Sequence, residues 1–259
     1  MTLLGSFSPA HPTLTVSEGA RIAATDKGTV SRILARLAKA GLLERASDGR
    51  SYHIGLGLLQ LGELYLSANP IAKLATPRLA SIARRTSCAI QLVVRDGPQC
   101  VVLASASAPG APLPPVTAET RLPLHASAGG KVFLASLAND ELQRLLDERQ
   151  LISYTGRTLS SREALRDALR GIRQRGYAEA DEEYFLGQHA VAVPVVDGSG
   201  VVEAALVAVS SQHLELDGRD SKVIERLRSA SLRITLARGR VTESARVRRS
   251  VSRGRPLDE

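Results

Sequence analysis

Apolar positions along the chain switch between helical and strand-like spacing. Val30, Ile33, Leu34 and Leu37 recur at i, i+3, i+4 and i+7, which predicts a helix with one apolar stripe. Thr25 or Asp26 can cap its start, and Gly41 stands where a helix end takes a left-handed residue. Thr15-Val16-Ser17-Glu18 predicts an earlier helix to about residue 24, with Thr15 and Glu18 as a capping box. Gly19 inside that helix should cost about 1 kcal/mol relative to Ala. Residues 42–45 and 51–54 predict short strands around an Asp48-Gly49 turn. Leu58, Leu61, Leu64 and Tyr65 then fall at helical spacing, and Asn69-Pro70 stops that helix.

Beyond residue 70 the pattern is mixed. Residues 71–86 predict an amphipathic helix, and 89–95 and 99–106 are apolar runs joined by an Asp96-Gly97-Pro98-Gln99 turn. The Pro-, Ala- and Thr-rich stretch 107–120 reads as a loop, followed by helices over 127–137 and 139–150. Ser160-Ser161-Arg162-Glu163 reads as a capping box, and Leu165, Leu169 and Ile172 carry its helix to Gly176. A second hairpin, 190–196 and 201–210, turns at Asp197-Gly198-Ser199-Gly200. Val223, Leu227, Ala230, Ile234 and Ala237 stripe a helix over 218–238. The Arg- and Ser-rich residues 239–259 have no stripe and are expected to be a mobile basic tail.

Composition narrows the classes. Of 259 residues, 44% are hydrophobic and 23% charged, as in folded globular proteins. No apolar run approaches the roughly 18 residues that span a bilayer, and no charged-then-apolar leader opens the chain. No membrane partner is therefore expected. Two cysteines, Cys88 and Cys100, cannot build a disulfide framework or a four-ligand zinc site, and suit buried positions in a cytoplasmic protein. The net charge is +8, and half of the excess lies in residues 238–259, where seven Lys and Arg face three Asp and Glu. The total alone does not identify a nucleic-acid binder.

Three clusters carry candidate chemistry. The face of the 30–37 helix away from its stripe shows Gly28, Arg32, Ala35 and Lys39, flanked by Thr29, Ser31 and Arg36, with no acid. Such a face is often only solvated. After a capped helix and before a hairpin it fits the reading helix of a winged helix-turn-helix, where hydroxyl and Arg side chains reach base edges. Lys27, Gly28, Thr29, Ser31 and Arg32 are the expected operator contacts. Arg36 and Lys39 are expected on phosphates, and Arg50, Ser51 and Tyr52 at the wing on the backbone. The second cluster, His125 to Lys131, resembles a phosphate loop but lacks its Gly and Ser/Thr; it reads as a tight loop before a helix or as backbone N–H groups facing a ligand. The third, Asp181-Glu182-Glu183 beside His189, reads as a solvated turn, and no metal is predicted. No nucleophile elbow is present, and no catalytic residue is assigned.

Taken in order, these motifs resemble the IclR family of bacterial transcriptional regulators to about residue 238. The similarity rests on 16–18 with 26–34, on 41–45 with 52–56, on Leu122 through Lys131, on Arg175-Gly176-Tyr177-Ala178 with 181–183, and on 187–195. The resemblance implies an α+β two-domain protein: an N-terminal winged helix-turn-helix (1–54), a linker helix (55–70), and a C-terminal GAF-like α/β effector domain with an antiparallel sheet (71–238). It also implies no enzyme activity and no cofactor. The expected partners are double-stranded operator DNA, itself as a dimer or tetramer, and a small-molecule effector. The effector would meet His125, Ser127, Ala128, Gly129, Gly130, Ala180, Asp181, Gly187, Gln188, Ala190, Val207 and Val209. The family's first helix is about twice as long as what precedes Pro9, so a start upstream of Met1 is expected. Family members that bind small keto acids place an acid, a cysteine and two serines where Ala180, Ala190, Val207 and Val209 stand here. The effector is therefore expected to be larger or more apolar than a keto acid. Two alternatives stay open: a C-terminal domain used only for oligomerisation, and an enzyme built on the α/β domain.

Overall fold

A computed structural model of the protein describes residues 3–8, 10–109, 120–211 and 222–253, of 240–253 the backbone alone. The chain forms two compact units, Met1–Ala68 and Asn69–Glu259.

After a 3-10 turn (Leu4–Ser6), the first unit holds β1 (Thr13–Thr15), α1 (Val16–Ile22), α2 (Lys27–Lys39), β2 (Leu43–Arg45), β3 (Ser51–Ile54) and α3 (Leu56–Ala68). The expected hairpin has a third strand, giving the antiparallel order β1-β3-β2. At three residues β1 is too short to show a period. Thr15 ends it and caps α1, accepting the Glu18 N–H while the Glu18 carboxylate accepts the Thr15 N–H. A Cβ on Gly19 would lie 2.9 Å from Val30 Cγ1, so the missing side chain lets α1 and α2 approach closely and offsets its helix cost. Asp26, not Thr25, caps α2, its Oδ1 accepting the Thr29 N–H at 2.8 Å. Gly41, at φ +72°, closes α2, and the Leu42 N–H turns back to the Leu37 carbonyl at 3.0 Å. Val30 and Leu34 are fully buried with Leu14, Ala20, Leu43 and Tyr52, and Leu37 packs beside them. Ile33 is 40% exposed, so the buried stripe is narrower than its spacing suggests.

The second unit holds α4 (Pro70–Thr86), β4 (Ala89–Asp96), β5 (Gln99–Ala106), β6 (Arg121–Pro123), α5 (Ala128–Ser136), α6 (Asn139–Asp147), α7 (Arg162–Arg175), β7 (Ala178–Asp181), β8 (His189–Val196), β9 (Val202–Ser210) and α8 (Lys222–Arg253). Asn69 both ends one helix and starts the next, its Oδ1 accepting the Ile71 and Ala72 N–H groups, with Pro70 in the first turn. The six strands pair antiparallel throughout, in the order β6-β5-β4-β9-β8-β7. Edge strands β6 and β7, three and four residues long, lie outside the sequence-based expectation. The 160–163 capping box does not form: Ser161 is the cap and accepts the Ala164 N–H at 3.0 Å. Helix α8 continues through Arg253, past the end of its apolar stripe. Residues 110–119 of the expected loop, 218–221 of the expected last helix and 254–259 of the expected tail lie outside the described residues. No described helix is long and apolar enough to cross a membrane.

Alternation divides the sheet's two faces. Ala89, Val93, Val207 and Val209 join the core beneath α5, α6 and α7. Ile90, Leu92, Leu206 and Ala208, equally buried, face the other way, where α4 and α8 pack. Helix α5 sits tight against its support, since a Cβ on Gly130 would fall 2.4 Å from the Leu124 Cα and carbonyl oxygen. Gly130→Ala is expected to destabilise by about 1–3 kcal/mol through overpacking. Gly171→Ala, within α7 and in open space, is expected to stabilise by about 0.4–1 kcal/mol. Urea unfolding midpoints of the two variants should move in opposite directions.

Candidate functional site

In the first unit, burial of Val30 and Leu34 turns the rest of α2 outward. Lys27, Gly28, Ser31, Arg32, Arg36 and Lys39 are exposed, and Thr29 is half-buried. Arg32 Nη2 donates to Thr29 Oγ1 at 3.3 Å. Within α2 this face carries no acid, although the Asp26 carboxylate accepts the Thr29 N–H at the helix start. That carboxylate fills the place where a helix start would otherwise attract a phosphate.

The wing is built around Asp48. Its Oδ1 accepts the N–H groups of Arg50 at 2.8 Å and Ser51 at 2.9 Å, and its Oδ2 accepts the Ser51 hydroxyl at 2.8 Å. These bonds lower the Asp48 pKa. Arg50 projects at the tip, whereas Ser51 and Tyr52 are buried. Ser51 and Tyr52 are both corrections: the Ser51 hydroxyl is taken up by Asp48, and the Tyr52 ring packs into the core, under the Arg45 guanidinium at 5.3 Å. Arg45, exposed on β2, belongs to this face and was not anticipated.

In the second unit a small cavity, of about 40 Å³, lies between the sheet and the start of α5. Its walls include Ser127, Ala128, Gly129, Ala180, Gln188, Ala190, Val207 and Val209, eight of the expected contacts. Strand register explains the grouping: Ala180 pairs with Ala190, Ala190 with Val209, and Val207 with Gln91. Gln91, Val93, Cys100, Leu122, Ala126, Glu183, Tyr184 and Phe185 complete the wall and were not anticipated. Gln91 did carry a signal, as the one polar residue inside the apolar run of β4. The cavity is narrow, because a Cβ on Gly129 would already meet Val207 Cγ2 at 3.2 Å.

Four expected contacts line no part of it. His125 donates from Nε2 to the Ile152 carbonyl at 2.9 Å and lies beside Tyr154. Gly130 packs on Leu124. Asp181 pairs with Arg157 and His189 outside the cavity. Gly187 turns the loop at φ +69°.

Among the contacts that fix the loop after β7 are three from residues distant in sequence. Thr155 Oγ1 donates to the Glu182 carbonyl at 2.7 Å, and Thr158 Oγ1 to the Glu183 carbonyl at 2.6 Å. The third is a buried ion pair between Lys131 of α5 and Glu183. Burial drives the Lys131 pKa down and the Glu183 pKa up, and their mutual attraction opposes both shifts. Asp181, Glu182 and His189 bring potential ligand atoms within 4.8 Å of one another, but Asp181 already engages the Arg157 guanidinium. Burial pushes the Cys100 thiol up to about 11, which keeps it protonated and poorly nucleophilic at neutral pH.

Residues 1–47 match the IclR helix-turn-helix domain, and 63–236 match the family described as bacterial transcriptional regulator IclR C-terminal. The chain belongs to the IclR family. The Escherichia coli K12 regulator XynR is 30% identical over 239 residues, covering 92% of this chain and 95% of that protein. The E. coli K12 transcriptional repressor IclR is 26% identical over 249 residues, 92% of this chain and 88% of that one. Among solved structures, an IclR homolog of Microbacterium hydrocarbonoxydans complexed with 4-hydroxybenzoate superposes with a TM-score of 0.77 at 28% identity, covering 90% and 95% of the two chains. This IclR-family protein is thus a DNA-binding transcriptional regulator and not an enzyme.

Removing one partner of the buried pair should be costly. Lys131→Met, which leaves the Glu183 charge uncompensated, is expected to lose about 3–5 kcal/mol. Lys131→Met/Glu183→Leu is expected to recover most of it in chemical denaturation.

Proposed function

We propose that this regulator represses transcription by binding a near-palindromic operator as a homo-oligomer in the cytoplasm, and that a small, largely apolar molecule in the second unit's cavity alters its operator affinity. Residues 1–54 would bind DNA, 55–70 would link, 71–238 would bind effector and oligomerise, and 239–259 would add a basic extension. The observation that carries the reading is the exposed, acid-free face of α2. Lys27, Gly28, Thr29, Ser31 and Arg32 would face base edges, with Arg36, Lys39 and Arg50 on phosphates.

Helix α3 supports the oligomer. None of its residues is buried, and Leu56, Leu59, Leu61 and Leu64 are all more than half exposed. A second copy covering them would remove an exposed apolar stripe.

The cavity lining supports an aromatic effector. Tyr184, Phe185, Val93, Val207 and Val209 offer apolar walls, and the α5 N-terminus at Ser127–Gly129 offers N–H groups suited to a carboxylate. A relative complexed with 4-hydroxybenzoate fits this chemistry. A second reading, oligomerisation without an effector, is favoured by the closeness of Gly129 to Val207.

Fluorescence anisotropy with the duplex upstream of the gene and a scrambled duplex, at two salt concentrations, tests the reading. Arg32→Ala is expected to weaken specific binding by about 1–3 kcal/mol and scrambled binding far less. Equal losses on both duplexes would refute Arg32 as a base reader. Titration with 4-hydroxybenzoate and related aromatic acids should shift the specific affinity; an unchanged affinity across the series, with no heat of binding, would favour the second reading.

A further inference from the structure

The second unit carries a groove of about 310 Å³ between α4 and α8, on the opposite side of the sheet from the effector cavity. Arg78 and Arg85 line it from α4, and Arg226 and Arg233 from α8. All four are exposed, and among the described residues none is ion-paired. Seven other arginines of this unit do pair with carboxylates: Arg95, Arg121, Arg157, Arg162, Arg170, Arg175 and Arg238. Among the described residues, Glu225 is the one acidic residue lining the groove.

The two walls share one pattern. Residues 78–85 and 226–233 both read Arg-Leu-x-Ser-x-x-x-Arg. Leu79 and Leu227 are buried and anchor their helices. That rotation presents the flanking arginines, with Ser81 and Ser229 between them, to the same groove. Seven residues of helix rise separate the arginines of each wall by about 10 Å. One carboxylate or one phosphate, unless both side chains fold inward onto it, cannot span such a site. A chain of linked phosphates can, and planar guanidinium groups with serine hydroxyls are the side chains that bind phosphate oxygens. A second copy of the same face does not suit, since four arginines against one glutamate would meet the same excess.

We propose that the α4–α8 groove is a binding site for linked phosphates, separate from the reading helix and from the effector cavity. The phosphates come either from a nucleic-acid backbone or from a free oligophosphate. Both sources place several oxyanions along the groove.

The test uses the full-length protein and inorganic tripolyphosphate in calorimetry at low and high salt, beside binding to a random-sequence duplex. Wild type is expected to bind tripolyphosphate, more weakly at high salt. Arg226→Ser/Arg233→Ser is expected to bind at least about tenfold more weakly with an unchanged thermal melt, given the strength of charge-assisted bidentate bonds. The control Arg166→Ser/Arg170→Ser, which removes the same charge from α7, is expected to bind as wild type. If duplex DNA is the source, the groove variant should also lower the slope of log affinity against log salt by about 2, one unit per lost phosphate contact. An unchanged slope with weakened tripolyphosphate binding assigns the site to a free oligophosphate. Absent binding by wild type, or equal losses in the groove and control variants, overturns the proposal. A groove variant with a lowered melt is replaced by Arg85→Ser, for which the same loss is expected and an unchanged affinity counts against the site.

Discussion

The Lys131 ammonium and the Glu183 carboxylate meet where neither reaches solvent, and much of the second unit is arranged to permit it. Two buried charges are tolerated only when paired in good geometry, because each alone would carry a desolvation penalty of several kcal/mol. The pair ties the first turn of α5 to the loop that follows β7. The same two segments, with the sheet, wall the cavity. Thr155 and Thr158 hold the loop's carbonyls from the far side, and Gly130 lets α5 lie on Leu124. The cavity's width is therefore set by polar bonds at its rim as much as by the apolar side chains that line it.

The first unit solves a different problem with the same economy. A small domain has little apolar surface to bury. Here Leu14, Ala20, Val30, Leu34, Leu43 and Tyr52 form one cluster, and Gly19 lets the two helices close over it. Tyr52 serves this cluster, so its ring is withheld from the wing surface, leaving Arg50 at the tip and Arg45 beside it. Asp26 has a double effect. It organises the start of α2, and its charge disfavours a phosphate at the helix terminus; on the proposed reading, backbone contacts then fall to the basic side chains further along.

What could be read from the chain was whatever its physics decides locally. The Thr15–Glu18 box, the Asp26 cap, the Gly41 terminus and the turns at Asp48-Gly49 and 197–200 depend on residues within a few positions of one another. Strands β1, β6 and β7 were missed because three or four residues carry no period; their partners decide them. The Lys131–Glu183 pair joins residues 52 apart, and nothing near either one announces the other. The cavity was half legible. Ala180, Ala190, Val207 and Val209 followed from the family resemblance, and register brings them together. Glu183, Tyr184 and Phe185 were invisible as wall residues because a solvated acidic turn and a buried one have the same sequence. The arginine pattern shared by α4 and α8 was present in the chain, but only packing shows that both copies face one groove.

On the proposed reading, a ligand can change operator affinity only through what it does differently in two arrangements of the second unit. A cavity of about 40 Å³ is too small for an aromatic ring, so on this reading a ring enters only if the walls give, α5 and the loop at 183–188 among them. Neither moves freely, since the Lys131–Glu183 pair couples them and loses energy steeply if stretched in a site of low dielectric. On this reading ligand binding displaces the two together, as one element with two positions, rather than widening the cavity gradually. That is the physical form a switch requires: the ligand's differential affinity for the two positions, on the order of 1–3 kcal/mol, sets the largest change in operator affinity it can produce. The second reading follows from the same geometry if the open position is too costly for any ligand to populate.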